Sequence, residues 1–120
     1  MARKQAVGKW GEGMAEHYLI RHGCTLIERN VRTQYGEIDL VMKTEDNLLI
    51  FVEVKTRTSS RFGNPEEAIT RQKSDHMRLS AEAYLLARPE FDGDWRIDVI
   101  SIYRARTETP EIVWFENAIH

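Results

Sequence analysis

The chain has 120 residues, 42% hydrophobic and 30% charged, with 17 Lys and Arg against 19 Asp and Glu, a net charge of −2 and one cysteine. That length supports a single domain, residues 1–120, burying roughly two thirds of its unfolded surface, and the lone Cys24 excludes an internal disulfide or a thiolate metal site, which suits a reducing cytoplasm. The longest apolar run, Leu48 to Val52, is far short of the roughly 20 residues of a membrane span, and the near-neutral charge argues against a protein that coats nucleic acid by bulk positive charge.

In chain order, the opening MARKQAVGKWGEG carries basic residues but no apolar segment behind them, so it does not read as a signal peptide. Val7, Gly11, Met14, Ala15, Tyr18 and Leu19 recur at helical spacing and predict a helix from about Gln5 to His22, stopped by Gly23. Thr25 to Val31 predicts a short strand. GEIDLVMK (36–43) and LLIFVEVK (48–55) predict two more, joined by the polar turn Thr44-Glu45-Asp46-Asn47 into an antiparallel hairpin. In the polar stretch that follows, Asn64 can cap a short helical turn begun by Pro65. Thr70 caps a longer helix that Pro89 ends near Arg88, with Met77, Ala81, Tyr84 and Leu85 as its core stripe. Trp95 to Tyr103 predicts a strand with Ile97, Val99 and Ser101 on one side and Asp98, Ile100 and Ile102 on the other, and Ile112 to Phe115 predicts a last one. The order α-β-β-β-α-β-β implies an α/β fold, a mixed sheet flanked by helices. The long helix should return the Trp95 strand parallel to an earlier one.

Two charges interrupt the second hairpin strand. Residues two apart share a face, so Phe51, Glu53 and Lys55 point one way and Ile50, Val52 and Val54 the other. An isolated Glu-x-Lys is most simply a half-exposed strand with solvated charges. Asp39 changes that reading. If Glu45-Asp46-Asn47 is a three-residue loop, Thr44 faces Leu48 and Asp39 stands opposite Glu53, with Cβ atoms about 5 Å apart. A two-residue loop would put the two acids on opposite faces. Facing carboxylates call for a cation, and oxygen ligands alone suit Mg²⁺ or Mn²⁺ rather than Zn²⁺. Lys55 on the same face could orient water and stabilise charge on a phosphate.

Asp39 followed by Glu53-Val54-Lys55 resembles the PD-(D/E)xK nuclease superfamily, with its restriction-endonuclease-like fold. The fuller string GEIDL, FVEVKTR, FGNPEEAI, RIDVI and ENAI resembles the bacterial YraN-type family of small predicted endonucleases, over nearly the whole chain. That family is similar in turn to archaeal Holliday-junction resolvases, in which an N-terminal helix supplies an acid eleven positions before a helix-ending glycine. The resemblance implies Asp39 and Glu53 as metal ligands, Lys55 as the catalytic lysine and Glu12 as a supporting ligand or water-positioning base. Two features depart from the superfamily pattern: Ile38 stands where a proline precedes the aspartate, and Glu37 is an extra acid. By spacing alone Glu12 would serve the helix dipole or solubility, Glu16 one turn on could replace it, and Glu37 either joins the acids on Asp39's face or pairs with Arg57.

Residues 1–78 hold 13 basic and 11 acidic side chains and residues 79–120 hold 4 and 8, so acidity gathers in the last third. Arg57, Arg61, Arg71, Lys73 and Arg78 follow the Glu53 strand closely, and Arg57, Arg61, Gln72 and Lys73 are candidate nucleic-acid contacts. The simplest alternative for them is a solvated face. The four histidines lack metal-ligand spacing, and Trp10, Trp95 and Trp114 read as core or interface. The expectation is a metal-dependent endonuclease acting on branched or junction DNA. Recognition would rest on backbone and shape, and symmetric junction cleavage would require a homodimer. The competing readings are a non-cleaving nucleic-acid-binding module and a protein partner in DNA repair.

Overall fold

The structure, a computed structural model, describes residues 2–57, 70–104 and 109–119, with side chains in the first helix from Val7 onward. Its elements are α1 (Ala2–Arg21), β1 (Thr25–Thr33), β2 (Gly36–Lys43), β3 (Leu49–Arg57), α2 (Arg71–Leu86), β4 (Trp95–Tyr103) and β5 (Glu111–Ile119). The order is the expected one. Strands 1 to 5 lie in sequence order in one sheet, antiparallel except for the parallel β3–β4 pair that the α2 crossover creates.

Local chemistry explains where each element stops. Gly23 adopts a left-handed φ of +92°, and the bonds Gly23 N–H to Ile20 C=O (3.1 Å) and Cys24 N–H to Leu19 C=O (3.0 Å) close α1 in a Schellman motif. The Thr70 hydroxyl accepts from the Lys73 N–H at 3.2 Å and caps α2. That helix stops at Leu86, before Pro89, and β1 and β5 run longer than the sequence pattern suggests. The 44–47 turn closes with the Thr44 N–H donating to the Leu48 carbonyl at 2.8 Å, while Asn47 takes φ +68°.

The two sheet faces carry separate cores. Ala15 and Leu19 of α1 pack on Leu40, Met42, Ile50, Val52, Ile100 and Ile102. Ala81 and Tyr84 of α2 pack on Val41, Phe51, Ile97 and Val99, with Met77 and Leu85 at the margin, as the helix stripe implies. Buried Gly11 seats α1 against β3, because a Cβ there would collide with the Thr56 hydroxyl.

One irregularity matters for function. Arg29 pairs with Leu40 in register, and both serve the α1 side: Leu40 in the α1 core, Arg29 bonded to Glu16. The next pair along, Val31 with Ile38, belongs to the α2 core. The strands therefore exchange faces around Asn30 and Asp39, and Asn30 has the φ of +50° that such a reversal asks of a non-glycine residue.

Candidate active site

The paired rungs of β2 and β3 end at Leu40 opposite Val52, in the register of the three-residue loop. One step outward, where the strands no longer pair, come Asp39 and Glu53. Asp39 Oδ2 instead accepts the Val54 N–H at 2.8 Å, which anchors the carboxylate beside β3. Glu53 and Lys55 share the α2 side of the sheet. The Lys55 Nζ lies 3.0 Å from Glu53 Oε1, with side-chain exposures of only 11% and 19%.

The electrostatics of this cluster are unbalanced. Burial, then the Glu53 charge, push the Asp39 carboxyl up to about 8, against the Val54 hydrogen bond, with Glu12 and Glu37 adding to the rise. Burial works against the charge on Lys55, but its hydrogen bond to Lys73 and the Glu53 carboxylate outweigh it and raise its pKa. Lys73, whose amine accepts a hydrogen bond from the Lys55 ammonium and whose own charge that ammonium repels, loses its proton more readily than an ordinary lysine. Arg57 is close enough to disfavour charge on both lysines.

Glu12 reaches the cluster from α1. The Asn30 side-chain amide donates to Glu12 Oε1 at 2.9 Å and to Glu37 Oε1 at 3.1 Å, joining helix and hairpin. Glu37 therefore belongs with Asn30 and Arg32, whose Nε is 3.9 Å away, rather than with Arg57. Nor does it share a regular face with Asp39, because the face exchange intervenes. Glu16 is no substitute for Glu12: its carboxylate is taken by Arg29 at 2.5 and 2.9 Å. A groove of about 190 Å³ opens on the α2 side, walled by Tyr35, Glu37, Glu53, Lys73, His76 and Met77. Gln72 is exposed in the first turn of α2, whereas Arg61, Asn64 and Pro65 lie outside the described residues.

Asn30 and the Lys55–Lys73 contact were not legible in the sequence. The signal for Asn30 was faint: an asparagine inside a strand tolerates positive φ.

Among the described residues no three His, Cys, Asp or Glu side chains converge closely enough to hold an ion alone. Asp39 and Glu53 nevertheless present facing hard oxygens whose mutual repulsion a divalent cation would relieve, with solvent or phosphate oxygens completing the shell. That incomplete set suits Mg²⁺ or Mn²⁺, which keep several waters.

A family model described as "Uncharacterised protein family UPF0102" matches residues 11–102. The chain belongs to this family. The match spans Glu12, Asp39, Glu53, Lys55 and Lys73. The UPF0102 chain is 48% identical to a UPF0102 protein of Syntrophomonas wolfei over 80% of its own length and 83% of that relative's. It is 43% identical to one of Clavibacter michiganensis, over 93% and 94%, and 37% identical to one of Caldicellulosiruptor saccharolyticus, over 96% and 98%. Among solved structures it is similar to Pyrococcus furiosus SfsA in complex with Ca²⁺, at 17% identity and a TM-score of 0.42. The UPF0102 chain spans 63% of that structure, and a likeness at this level supports no functional argument. Among its described residues no helix is long and apolar enough to cross a membrane.

Proposed function

We propose that this UPF0102 protein is a metal-dependent endonuclease that hydrolyses DNA phosphodiester bonds, with branched or junction DNA as its preferred substrate. One observation carries the reading: Asp39 and Glu53 follow the last β2–β3 rung, near enough for the Glu53 charge to raise the Asp39 carboxyl, with the Lys55 ammonium 3.0 Å from Glu53. Glu53 is paired with Lys55, whereas the groups acting on Asp39 among the described residues are the Val54 N–H and other carboxylates.

A Mg²⁺ or Mn²⁺ ion held by Asp39 and Glu53, with Glu12 in support, would supply Lewis-acid polarisation of the scissile phosphate. The chain's own groups do the rest. Lys55 donates to a non-bridging phosphate oxygen and offsets the charge that builds as water attacks phosphorus. The phosphorus–oxygen bond to the leaving strand breaks, and the leaving oxygen takes a proton from solvent. Glu12, oriented by Asn30, holds the attacking water in line and accepts its proton. Lys73 and Arg57 bind neighbouring phosphates.

The test is cleavage of linear, flapped and four-way DNA in Mg²⁺ or Mn²⁺ by wild type, Glu53→Ala and Lys55→Ala. Wild type should cut, four-way DNA fastest, and the variants should not. Equal traces of nicking in all three identify contamination and end the enzyme reading. A second reading has its own observation: the direct Glu53–Lys55 pair already neutralises one acid, as a non-cleaving DNA-binding or repair-interaction module would have it. DNA binding by wild type with no cleavage under any of these conditions would select it.

A further inference from the structure

The acid row has a second opening. On the α1 side lies a groove of about 580 Å³ lined by Gly8, Lys9, Glu12, Asn30, Arg32 and Glu37. It shares the Glu37 wall with the smaller α2-side groove that holds Glu53 and Lys73. A ligand lying across the acids can therefore leave in both directions.

The charges of this groove are layered. Its carboxylates, Glu12 and Glu37, each take an N–H from Asn30. Its cations stand at the rim: Lys9 is exposed, and the Arg32 side chain is 90% exposed, 3.9 Å from Glu37. A surface pair that long and that wet contributes little to folding. Both cations are thus available to a polyanion, with counterion release as the driving force. A small anion would need only one pocket, whereas two open grooves with cations on each flank fit a chain of phosphates passing through.

We propose that the α1-side groove receives the nucleic-acid backbone beyond the cleavage point, with Lys9 and Arg32 as its phosphate contacts. This rests on the nuclease reading and deepens it: the substrate strand continues on both sides of the scissile phosphate, so no strand end is required.

The experiment measures salt-dependent binding of fluorescein-labelled duplex and four-way DNA in Mg²⁺. All chains carry Lys55→Ala, which removes turnover and keeps both facing carboxylates. Lys9→Ala and Arg32→Ala should each reduce the slope of log K against log salt by about 1. Lys9→Arg should keep the parent slope because the charge is kept. Arg21→Ala, about 18 Å along α1 from Lys9 at the helical rise, should also leave it unchanged. Parent slopes in both alanine variants, with the parent binding and wild type cutting DNA, overturn the groove and leave the nuclease reading standing. No DNA binding by the parent and no cleavage by wild type overturn both. Reduced slopes without cleavage by wild type keep the groove and remove the enzyme.

Discussion

Two aspartates in one sheet, Asp98 on β4 and Asp39 on β2, are treated in opposite ways. Asp98 is fully buried and fully answered: Arg96 donates to its two oxygens at 2.9 and 3.1 Å, the Trp114 indole at 2.8 Å and the Asn117 N–H at 2.8 Å. Asp39 receives one backbone N–H and faces Glu53, with Glu12 and Glu37 close enough to add to its repulsion. Both sites are polar and near the core, but only the first is closed. The contrast teaches that burial of a carboxylate says little about its purpose until its partners are counted. Asp98 ties the edge strand β5 to β4. Asp39 is left needing a charge the chain does not provide.

The sharpest way to break this contrast is to delete each acid and its cation in turn. Lys55→Ala should lower the cleavage rate about 10³-fold, as loss of a transition-state charge donor does, with the folded state intact in circular dichroism. Asp98→Ala should do the reverse, costing about 1–3 kcal/mol for each donor it strands, the Trp114 indole and the Asn117 N–H, while Arg96 keeps Glu116; this is read as a fall in the urea midpoint, whereas Asp39→Asn leaves or raises that midpoint in metal-free buffer. An Asp39→Asn chain as destabilised as Asp98→Ala would erase the distinction.

Smaller effects refine it. Gly11→Ala should destabilise by about 1–3 kcal/mol, since the added methyl forces α1 off Thr56, and should lower turnover further by carrying Glu12 away from Asn30. A pH effect tests Asp39 directly. The Asp39 carboxyl titrates near 8 in the fold against an ordinary 3.8, so between those values the folded chain holds a proton that the unfolded chain has released. Its contribution to metal-free stability is complete below 3.8 and is lost as pH rises through about 8. Thermal midpoints should therefore decline with rising pH in wild type more steeply than in Asp39→Asn, and millimolar Mn²⁺ should flatten the difference by binding the ionised form.

The hairpin shows what sequence reasoning reaches. The polar turn ending in Asn47 allowed a two-residue or a three-residue loop, and the observed rungs from Lys43–Leu49 to Leu40–Val52 are those of the three-residue loop. The helix caps at Gly23 and Thr70 were equally local and equally readable. The misses are all non-local. Glu37 was assigned by strict alternation to the face of Asp39, and alternation fails where Asn30 turns left-handed. Lys9 and Arg32 border one groove only because α1 crosses β1 at that point, and Lys73 meets Lys55 only because the crossover helix returns over the sheet. The Asp98 network needed β5 to extend past Phe115 to Asn117, beyond the apolar run that marked the strand.

The exchange of faces at Asn30 and Asp39 also separates two burdens that one sheet usually bears together. Where the apolar residues change sides, from Leu40 in one layer to Ile38 in the other, Asp39 sits at the step between two layers that are each unbroken. Chemistry and shape are therefore nearly independent assignments in this fold. Replacing Asp39 should therefore leave both hydrocarbon layers packed.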